Sequence, residues 1–525
     1  MDTKALRQKI LDLAIRGKLV PQDPNDEPAS VLLERIRAEK EQMVKDGKLK
    51  AKDIKNDSVI FLGDDNLHYE KFPDGTVKCI EDEIPFELPE GWRWDRLGNV
   101  SIIARGGSPR PIESYITDDE NGINWIKIGD TEKDGKYIFK TKEKIKPEGL
   151  SKSRYVESGD FLLTNSMSFG RPYILKTNGC IHDGWLVIGN IDTVFNQDFL
   201  YYALSSDFMY QTLSLLAAGS TVKNLKSDTV KSVLFPIPPM REQIRIAEKL
   251  DSLISFVIRI ESDKTDLQTT IQLTKSKILD LAIRGKLVPQ NPDDEPASVL
   301  LDRIRAEKEE LIKQGKIKRD KKESVIFRGD DNSYYETIGS ETINIDDEIP
   351  FDLPDEWEWV RLGVLFSHNT GKALNKKDST GIKMTYITTS NLYWNRFELD
   401  SLKEMNFNES EIENCTVQKG DLLVCEGGDI GRASIWNYDN KIRIQNHIHK
   451  LRPYSEVSVL LYYYVFYYYK LTDRINGKGI GIQGLSSNQL HNIFLPLPPL
   501  NEQKRIADKV SQLFSLLDSI EENVN

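Results

Sequence analysis

Short loops that combine small residues with polar side chains offer the clearest opportunity for chemistry in this sequence. Small residues let a backbone approach a nucleic acid closely, and Arg, Lys, Asn, Gln and Ser side chains can contact phosphates or base edges. In the first half of the chain these loops carry Arg105, Ser108, Arg110, Asn165, Ser166, Ser168, Arg171, Ser220, Thr221, Lys223, Asn224 and Lys226. In the second half they carry Asn369, Lys372, Asn375, Lys376, Arg432, Lys478, Gln483 and Ser486. Each side chain is as readily a solvated loop residue as a base contact.

One of these loops, GDLLVCEGGDIGR, departs from its counterpart GDFLLTNSMSFGR in the first half. In our alignment Glu426 and Asp429 stand where Ser166 and Phe169 stand in the first loop. Acidic side chains repel phosphate but can accept a hydrogen bond from cytosine N4. The difference therefore indicates either another base preference or a loop that does not contact DNA.

The motifs expected of an enzyme are incomplete in this sequence. Gly479, Gly481 and Gly484 form a GxGxxG pattern, but it follows a tyrosine-rich helical run rather than a strand, so a dinucleotide site is not expected. No GxxxxGK(S/T) sequence offers a phosphate cradle for ATP. His447 and His449 lack a third metal ligand and are better explained as sheet residues. We therefore expect no catalytic residue and no metal site in this chain.

Two aromatic features allow a ligand-binding explanation as well as a packing one. The run YYYVFYYYK, residues 462–470, could stack on bases, but at helical spacing half of it must face inward. That spacing favours a packed helix. Trp92, Trp94, Trp357 and Trp359 each follow an acidic segment, and we expect them to anchor a core.

The loops are carried by a frame that the chain contains twice. Residues 9–41 return as residues 277–309 with three differences in 33 positions, and SVIFLGDDN returns as SVIFRGDDN. Between the matched blocks, residues 99–234 and 364–494 are nearly unrelated. The duplicated frame therefore carries two divergent inserts of about 130 residues, each large enough to form a domain.

Charge is divided by region along the 525 residues. The net charge of −11 would disfavour a nucleic-acid ligand if it were uniform. However, residues 53–95 carry 4 basic and 12 acidic residues, and residues 320–360 carry 3 and 13. The inserts are near neutral, which leaves room for a basic face on each. Because hydrophobic residues make up 39% of the chain and no apolar run reaches membrane-spanning length, we expect a globular, cytoplasmic protein.

Heptad spacing predicts long helices in the frame. Apolar residues recur every three or four positions from Ile246 to Leu281, between two prolines and a glycine. We expect residues 240–284 to form a rod of about 68 Å, with both terminal helices packed antiparallel on it. The predicted seam consists of Ile246, Leu250, Leu253, Val257, Ile260, Leu267, Ile271, Ile278, Leu281, Leu6, Ile10, Leu13, Ile506, Val510, Leu513, Leu517 and Ile520.

At these residues the chain resembles the specificity subunit of type I restriction-modification systems. FPIPPMREQIRIAEKLDSL and LPLPPLNEQKRIADKVSQL are similar to the start of that family's spacer helices, and ILDLAIRGKLVPQ with EPASVLLERIRAEKE to their end. GDFLLTNSMSFGRPYIL and GDLLVCEGGDIGRASIW resemble the strand-loop-strand motif of each target recognition domain. Each motif is weak alone, but the duplicated set in this order is specific and covers almost the whole chain.

The resemblance implies an α/β fold in which two globular α/β target recognition domains are separated by a long antiparallel helical coiled-coil spacer, with pseudo-two-fold, circular organisation. Each domain would read one half of an asymmetric, bipartite target in double-stranded DNA. The spacer would hold two methyltransferase subunits for adenine N6 methylation, and two restriction subunits would join through them. This chain would be noncatalytic and without a cofactor, since S-adenosylmethionine, ATP and Mg²⁺ are expected on the partner subunits.

The same resemblance divides the chain into segments. We expect N-terminal spacer helices at 1–46, an acidic linker at 47–96, the first recognition domain at 97–238, the central spacer helix and following helix at 239–315, a second acidic linker at 316–361, the second recognition domain at 362–498 and the C-terminal spacer helix at 499–525. The resemblance makes the GSTVKNL and GKGIGIQGLSS loops the better candidates for base reading.

Two other functions of the chain stay open. A surface that binds the partner subunits must also be predicted. The chain could be a two-headed helical adaptor that binds proteins rather than DNA. It could also be a nuclease with carboxylates such as Asp160 or Asp421. For partner docking we expect a contribution from four apolar frame positions. They are Leu32, Leu33, Leu300 and Leu301.

Overall fold

A computed structural model of the chain divides into two compact units. These are Met1–Asp263 and Lys264–Asn525. The structure describes residues 2–132, 135–165, 169–189, 191–217, 224–319, 323–374, 380–475 and 484–524. The boundary between the units falls within the longest helix, α8 (Met240–Ile283), which has 44 residues.

Unit 1 combines frame helices with an insert rich in short strands. Its other helices are α1 (Thr3–Ile15), α2 (Ala29–Lys45), α3 (Ala51–Ile54), α4 (Leu97–Val100), α5 (Gln197–Leu204), α6 (Asp207–Leu216) and α7 (Ser227–Lys231). Its strands are β1 (Val59–Leu62), β2 (His68–Lys71), β3 (Val77–Cys79), β4 (Arg93–Arg96), β5 (Ile102–Arg105), β6 (Ile116–Thr117), β7 (Ile123–Ile126), β8 (Tyr137–Ile138), β9 (Glu143–Ile145), β10 (Arg154–Val156), β11 (Phe161–Thr164), β12 (Pro172–Leu175), β13 (Gly179–Ile181), β14 (Trp185–Gly189) and β15 (Leu234–Ile237).

The insert of unit 1 is built on two five-stranded sheets, with strand orders β5-β14-β11-β12-β8 and β10-β13-β7-β9-β6. Strand β11 is apolar from Phe161 to Leu163 and is buried on both faces. Phe161 and Leu163 pack with the helices, whereas Leu162 packs on the opposite face with Ile126, which belongs to the second sheet. A strand buried on both faces has no need of polar alternation, which explains its sequence.

Unit 2 repeats this organisation with a second insert. Its helices after α8 are α9 (Ala297–Lys313), α10 (Leu362–Leu365), α11 (Glu409–Cys415), α12 (Val459–Leu471), α13 (Ser487–His491) and α14 (Leu500–Val524). Its strands are β16 (Ser324–Arg328), β17 (Tyr334–Ile338), β18 (Glu341–Asn344), β19 (Glu358–Arg361), β20 (Phe366–Thr370), β21 (Ile382–Ile387), β22 (Leu392–Tyr393), β23 (Arg396–Phe397), β24 (Lys403–Phe407), β25 (Thr416–Val417), β26 (Leu422–Cys425), β27 (Ala433–Ile435), β28 (Ile442–Ile444), β29 (Ile448–Pro453) and β30 (Phe494–Leu497). The insert's main sheets have strand orders β20-β29-β26-β27 and β24-β21-β28-β25.

Both inserts join the frame through the same two-stranded element. In unit 1, β4 pairs with β15, and in unit 2, β19 pairs with β30. The four tryptophans at these junctions are buried, which confirms the prediction that they anchor the core. Trp92 Nε1 donates to Glu242 Oε2 at 2.9 Å, and Trp357 Nε1 donates to Glu502 Oε2 at 3.0 Å. Each junction is thereby tied to the first turn of a long frame helix.

Within each unit a terminal helix packs antiparallel on part of α8. In unit 1, Thr3 Oγ1 donates to Glu261 Oε1 at 2.5 Å, while Gln22, beyond the end of α1, reaches Glu242 at 3.1 Å. In unit 2, Lys275 Nζ donates to Asp518 Oδ1 of α14 at 2.5 Å. The chain directions are those that the heptad spacing predicts.

The buried stripe of α8 is wider than the predicted seam. Of the seam residues, the structure buries Ile246, Leu250, Val257, Ile271, Ile278, Ile10, Ile506 and Val510, and half-buries Leu253, Ile260, Leu267, Leu281, Leu6, Leu13, Leu513 and Leu517. Ile520 is exposed, unlike the contact we expected. Ile254 and Leu279, outside the predicted seam, are buried as well, and α8 also contacts helices of the inserts. Tyr202 of α5 hydrogen-bonds Asp251, and Tyr468 of α12 donates to Asp280 at 2.9 Å.

Two sequence-based expectations about apolar residues have opposite outcomes. The tyrosine-rich run forms most of α12, where Tyr462, Tyr464 and Phe466 are buried, so the packed-helix prediction is confirmed. The docking prediction is wrong, since the four leucines proposed for it are buried in the cores of their own units. Helices α2 and α9 turn these leucines inward because each helix covers its own insert junction. Among the helices in the described ranges, none is both long and apolar enough to span a lipid bilayer.

Candidate nucleic-acid interface

Three loops of the first insert meet at the ends of β5, β11 and β14. The loop after β5 joins the turn before β14 through Gly106, whose N–H donates to Trp185 O at 2.9 Å. The loop after β11 joins the same turn because Asn165 N donates to Gly184 O at 3.0 Å. Asn165 O in turn accepts from Leu225 N at 2.9 Å, which brings the segment before α7 to the same place.

The second insert brings its loops together through the same bonds. Glu426 N donates to His447 O at 2.9 Å, and Glu426 O accepts from Leu485 N at 2.8 Å. Glu426 therefore occupies the position of Asn165. Our alignment of Glu426 and Asp429 with Ser166 and Phe169 is wrong by one residue. The backbone hydrogen bonds, rather than sequence similarity, show which residues of the two inserts occupy equivalent positions.

In the first insert four predicted side chains converge on one turn residue, Asp183. Ser108 Oγ donates to Asp183 Oδ1 at 2.8 Å, and Arg110 Nη2 lies 3.4 Å from Asp183 Oδ2. Arg105 Nε and Asn165 Nδ2 donate to the Asp183 backbone oxygen at 2.9 and 2.7 Å. The hydrogen bond from Ser108 lowers the pKa of Asp183, so the carboxylate is ionised at neutral pH. Asp183 was not among the predicted residues, because its position next to these loops depends on the pairing of β5 with β14.

These side chains differ in what they can reach. The side chain of Arg110 is 78% exposed and Arg105 is exposed, so both can reach a phosphate. Asn165 is 1% exposed and holds the turn in place. Lys226 is exposed just before α7, whereas Arg171 and Asn224 are half-buried. An open cavity of about 470 Å³ lies beside Arg110 and is lined also by Ser108, Trp125, Lys127 and His182.

In the second insert two predicted cations are used internally. Lys372 Nζ donates to Asn406 O and Glu411 Oε2, both at 2.8 Å, and its side chain is only 9% exposed. Arg432 donates to Thr389 O at 2.7 Å, and its guanidinium lies 4.9 Å from the Tyr393 ring centroid. These contacts give both residues a structural role within the insert.

The remaining described candidates of the second insert also have local partners. Asn369 is half-buried in β20, opposite Lys450. Ser486 caps α13, where its Oγ accepts from Gln489 N at 3.4 Å. The accessible groups at the meeting point are instead Glu426 and His447, whose carboxylate and Nδ1 lie 3.4 Å apart.

A histidine cluster in unit 2 connects residues that are far apart in sequence. His368 Nε2 lies 2.7 Å from His449 Nδ1, and the rings of His368 and His491 are 5.0 Å apart. His449 Nε2 contacts Leu485 O at 2.7 Å. Burial lowers the pKa of His368 to about 3, so its ring is neutral at physiological pH. His449 therefore lies in a strand, as expected, whereas His447 lies in the turn before that strand, so the prediction of a sheet residue is wrong for His447. The sequence did not reveal the two histidine neighbours of His449.

Several predicted residues lie outside the part of the chain that the structure describes. They are Ser166, Ser168, Ser220, Thr221, Lys223, Asn375, Lys376, Lys478 and Gln483, together with Gly479 and Gly481 of the GxGxxG pattern. Within the described ranges, no group of three or more His, Cys, Asp or Glu side chains is arranged to hold a metal ion.

The carboxylates considered for a nuclease hold turns. Asp421 binds Arg452 through both oxygens, with Nε and Nη2 each at 2.7 Å, and is almost completely buried. Asp160 Oδ2 accepts from Glu157 N at 2.9 Å. Arg452 lies on the neighbouring strand β29 and Glu157 lies three residues before Asp160, so the geometry gives these carboxylates a structural role.

Comparison with known proteins identifies the class to which this fold and interface belong. The model of the type I restriction modification DNA specificity domain matches residues 89–268 and 354–525. The chain therefore belongs to the family of type I restriction-modification specificity subunits. It is 28% identical to the EcoAI specificity subunit from Escherichia coli, over 98% of this chain and 90% of that protein.

Solved structures share the fold. A chain from a structure of type I R-M complex assembly and conformational transition matches with a TM-score of 0.59 and 18% identity, over 84% of this chain and 94% of that one. The HsdS subunit from Thermoanaerobacter tengcongensis matches with a TM-score of 0.50 and 18% identity, over 84% and 95%. The α/β architecture with a long frame helix is thus that of specificity subunits.

Family membership assigns the role of the chain. It is the noncatalytic component that recognises the DNA target within a type I restriction-modification complex. The prediction from sequence is confirmed on this point, and the protein-binding adaptor is not favoured.

Proposed function

We propose that residues 97–238 and 362–498 are two target recognition domains, each of which reads one half of an asymmetric, bipartite target in double-stranded DNA. One observation carries the proposal: both inserts bring the same loops together through the same backbone hydrogen bonds but present different side chains. The first presents Arg105 and Arg110 around Asp183, and the second presents Glu426 and His447. A shared scaffold with different reading groups is what two unlike half-sites require.

The accessible groups divide between positioning and reading. Arg105, Arg110 and Lys226 are exposed cations suited to phosphate contacts, which fix the register of a protein on a duplex. Glu426 can accept a hydrogen bond from cytosine N4, and His447 can donate to a purine acceptor. These roles make the first insert more dependent on phosphate attraction and the second more dependent on base-edge contacts.

The frame, in this proposal, holds two methyltransferase subunits for adenine N6 methylation, and two restriction subunits join through them. The near-identity of residues 9–41 and 277–309 supports a partner that binds twice. Residues 1–46, 239–315 and 499–525 serve as the spacer, with S-adenosylmethionine, ATP and Mg²⁺ on the partner subunits. Because chromosomal DNA is the substrate, we place the complex in the cytoplasm.

A methylation map tests this function directly. The chain is co-expressed with its methyltransferase subunit, and methylated adenines are located across genomic DNA by single-molecule sequencing. We expect one split, asymmetric motif with a fixed gap. A stable complex that adds no methylation would overturn the proposal in favour of a protein-binding adaptor.

A further inference from the structure

Each unit contains a small three-stranded antiparallel sheet in the acidic segment before its insert. These are β1-β2-β3 in unit 1 and β16-β17-β18 in unit 2. In the first, Ile60 pairs with Glu70 and Phe61 with Tyr69. In the second, Ile326 pairs with Glu336 and Phe327 with Tyr335. Because neighbours along a strand point to opposite faces, the Ile-Glu pairs and the Phe-Tyr pairs lie on opposite faces of each sheet.

The inner face of each sheet accounts for its attachment to the unit. Ile60 and Ile326 are buried. Glu70 accepts from Arg96 Nη2 at 2.7 Å, and Glu336 accepts from Arg361 Nη2 at 2.6 Å. These buried contacts attach each sheet to the rest of its unit.

The outer face presents the same aromatic pair in both sheets. Phe61 is 40% exposed and Phe327 is 41% exposed, and each ring stacks on its tyrosine with centroids 5.9 Å apart. Each tyrosine hydroxyl donates at 2.8 Å to an aspartate in the adjoining turn, Asp65 or Asp331. A Cβ on Gly63 would lie 2.9 Å from the Tyr69 ring, so this glycine makes room for the pair.

Retention of this pair in both copies points to a common ligand. The inserts diverge between the copies, as expected for surfaces that read different DNA, and even Leu62, next to Phe61, is replaced by Arg328 in the second copy. Buried contacts already attach these sheets to their units, and exposed aromatic rings of this kind are typical anchors of protein interfaces. A surface kept in both copies is expected to meet the same partner twice.

The charge around the pair identifies the kind of partner. Residues 53–95 contain 12 acidic and 4 basic residues, and residues 320–360 contain 13 and 3. The exposed Asp64 and Asp330 lie in the turns beside the aromatic rings. Such a surface repels DNA and complements a protein with an apolar recess and a basic rim.

We propose that each sheet docks one copy of the methyltransferase subunit, with the stacked Phe-Tyr pair at the centre of the contact and the acidic turns facing a basic rim on the partner. This inference rests on the proposed function, which has two copies of that subunit in the complex and joins restriction subunits only through them. It adds a defined contact outside both the recognition domains and the spacer seam.

Alanine substitutions at the two phenylalanines test the contact. Phe61→Ala and Phe327→Ala are made singly and together in the chain co-expressed with the methyltransferase subunit, and native mass spectrometry follows stoichiometry during dilution. We expect each single variant to weaken one docking step by about tenfold or more, which leaves a complex with one methyltransferase subunit, and the double variant to weaken both. Leu62→Arg is the matched control: it alters an exposed apolar neighbour to the residue of the second copy and should leave docking unchanged.

Because the alanine substitutions could disturb the sheets, substitutions that reverse a charge in the turns provide a second test of docking. Asp64→Lys and Asp330→Lys change exposed turn residues and should weaken the same docking steps, with a smaller dependence on salt than the unmodified complex. Unchanged affinities in both the alanine and the lysine variants overturn the docking proposal, as does loss of restriction subunits alone. The methylation map separates this from the proposed function, because an absent split motif in the unmodified complex contradicts the function whatever the sheet variants do.

Discussion

Arg110 is a highly exposed side chain beside Asp183, and the salt dependence of DNA binding can measure its role. If it contacts a phosphate, Arg110→Ala weakens binding about equally for all sequences and reduces the slope of log affinity against log salt by about 1. Fluorescence anisotropy of the methyltransferase complex on target and non-target duplexes at several salt concentrations measures both quantities. Arg110→Lys, which keeps the charge, should retain the slope. An unchanged slope in Arg110→Ala would show that this guanidinium only pairs with Asp183.

Glu426 provides the corresponding prediction for base reading in the second insert. A carboxylate only accepts hydrogen bonds, whereas an amide of the same shape also donates them. We expect Glu426→Gln to relax or change one position of the second half-site and to leave the first half-site unchanged. A methylation map of the variant complex measures this. The idea fails if both half-sites change, or if the motif stays the same at full activity.

For single residues, the sequence predicted which side chains lie in the loops better than it predicted what those side chains contact. The polar loop residues Ser108 and Arg110 meet in the structure, as expected of neighbours on one loop. Their meeting with Asp183 depends on strand pairing between β5 and β14, which no local pattern encodes. Likewise, Lys372 looks like an exposed loop cation in sequence but turns inward, because Glu411 of α11 offers it a carboxylate.

Strands β20 and β29 and helix α13 carry the histidine cluster, and we expect it to make the stability of unit 2 depend on pH. The pKa of His368 is near 6.5 in an unfolded chain and is lowered by burial to about 3 in the fold. Below pH 6.5 the unfolded chain therefore binds a proton that the folded chain does not, and stability falls as pH decreases. For His368 alone the loss between pH 7.5 and 5.5 is about 1 kcal/mol.

Ile103 stands at the matching position of unit 1, so His368→Ile is a substitution that this fold already accommodates. We expect the variant to lose about 1 kcal/mol less than the unmodified chain over the same pH interval. Denaturant unfolding of the full chain at pH 7.5 and 5.5 gives the comparison. Equal losses in the two proteins would contradict the assignment of a neutral, buried His368.

The frame shows what helix periodicity can and cannot reveal. Apolar spacing together with the prolines before Met240 and the glycine after Ile283 predicts α8 to within one residue at its C-terminal end. The spacing does not reveal Ile254 or Leu279 as buried residues, although each belongs to a core that also contains helices of its insert. Periodicity reports that a helix has an apolar stripe, while the number of neighbours that share the stripe follows from tertiary structure.

For the whole molecule, the internal repeat was the most informative feature of the sequence. It separates the frame, which both halves share, from the inserts, which differ between them. The two-stranded junctions between frame and insert have the same strand pairing in both units. Arg96 pairs with Leu234 in unit 1, and Arg361 pairs with Phe494 in unit 2, at the same place in the two-stranded element. An insert should therefore be transferable from one frame position to the other without changing the strands that hold it.

Replacing residues 362–498 with a second copy of residues 97–238 tests this modularity. Because β19 and β30 pair in the register of β4 and β15, the grafted segment begins directly after β19 and its own β15 takes the place of β30. We expect the complex to methylate a target made of the first half-site twice, with the second half-site lost, as measured by a methylation map. The reciprocal graft should give the second half-site twice and serves as the control. A graft that folds and binds the methyltransferase subunit but still reads the original asymmetric target would show that specificity does not reside in the inserts.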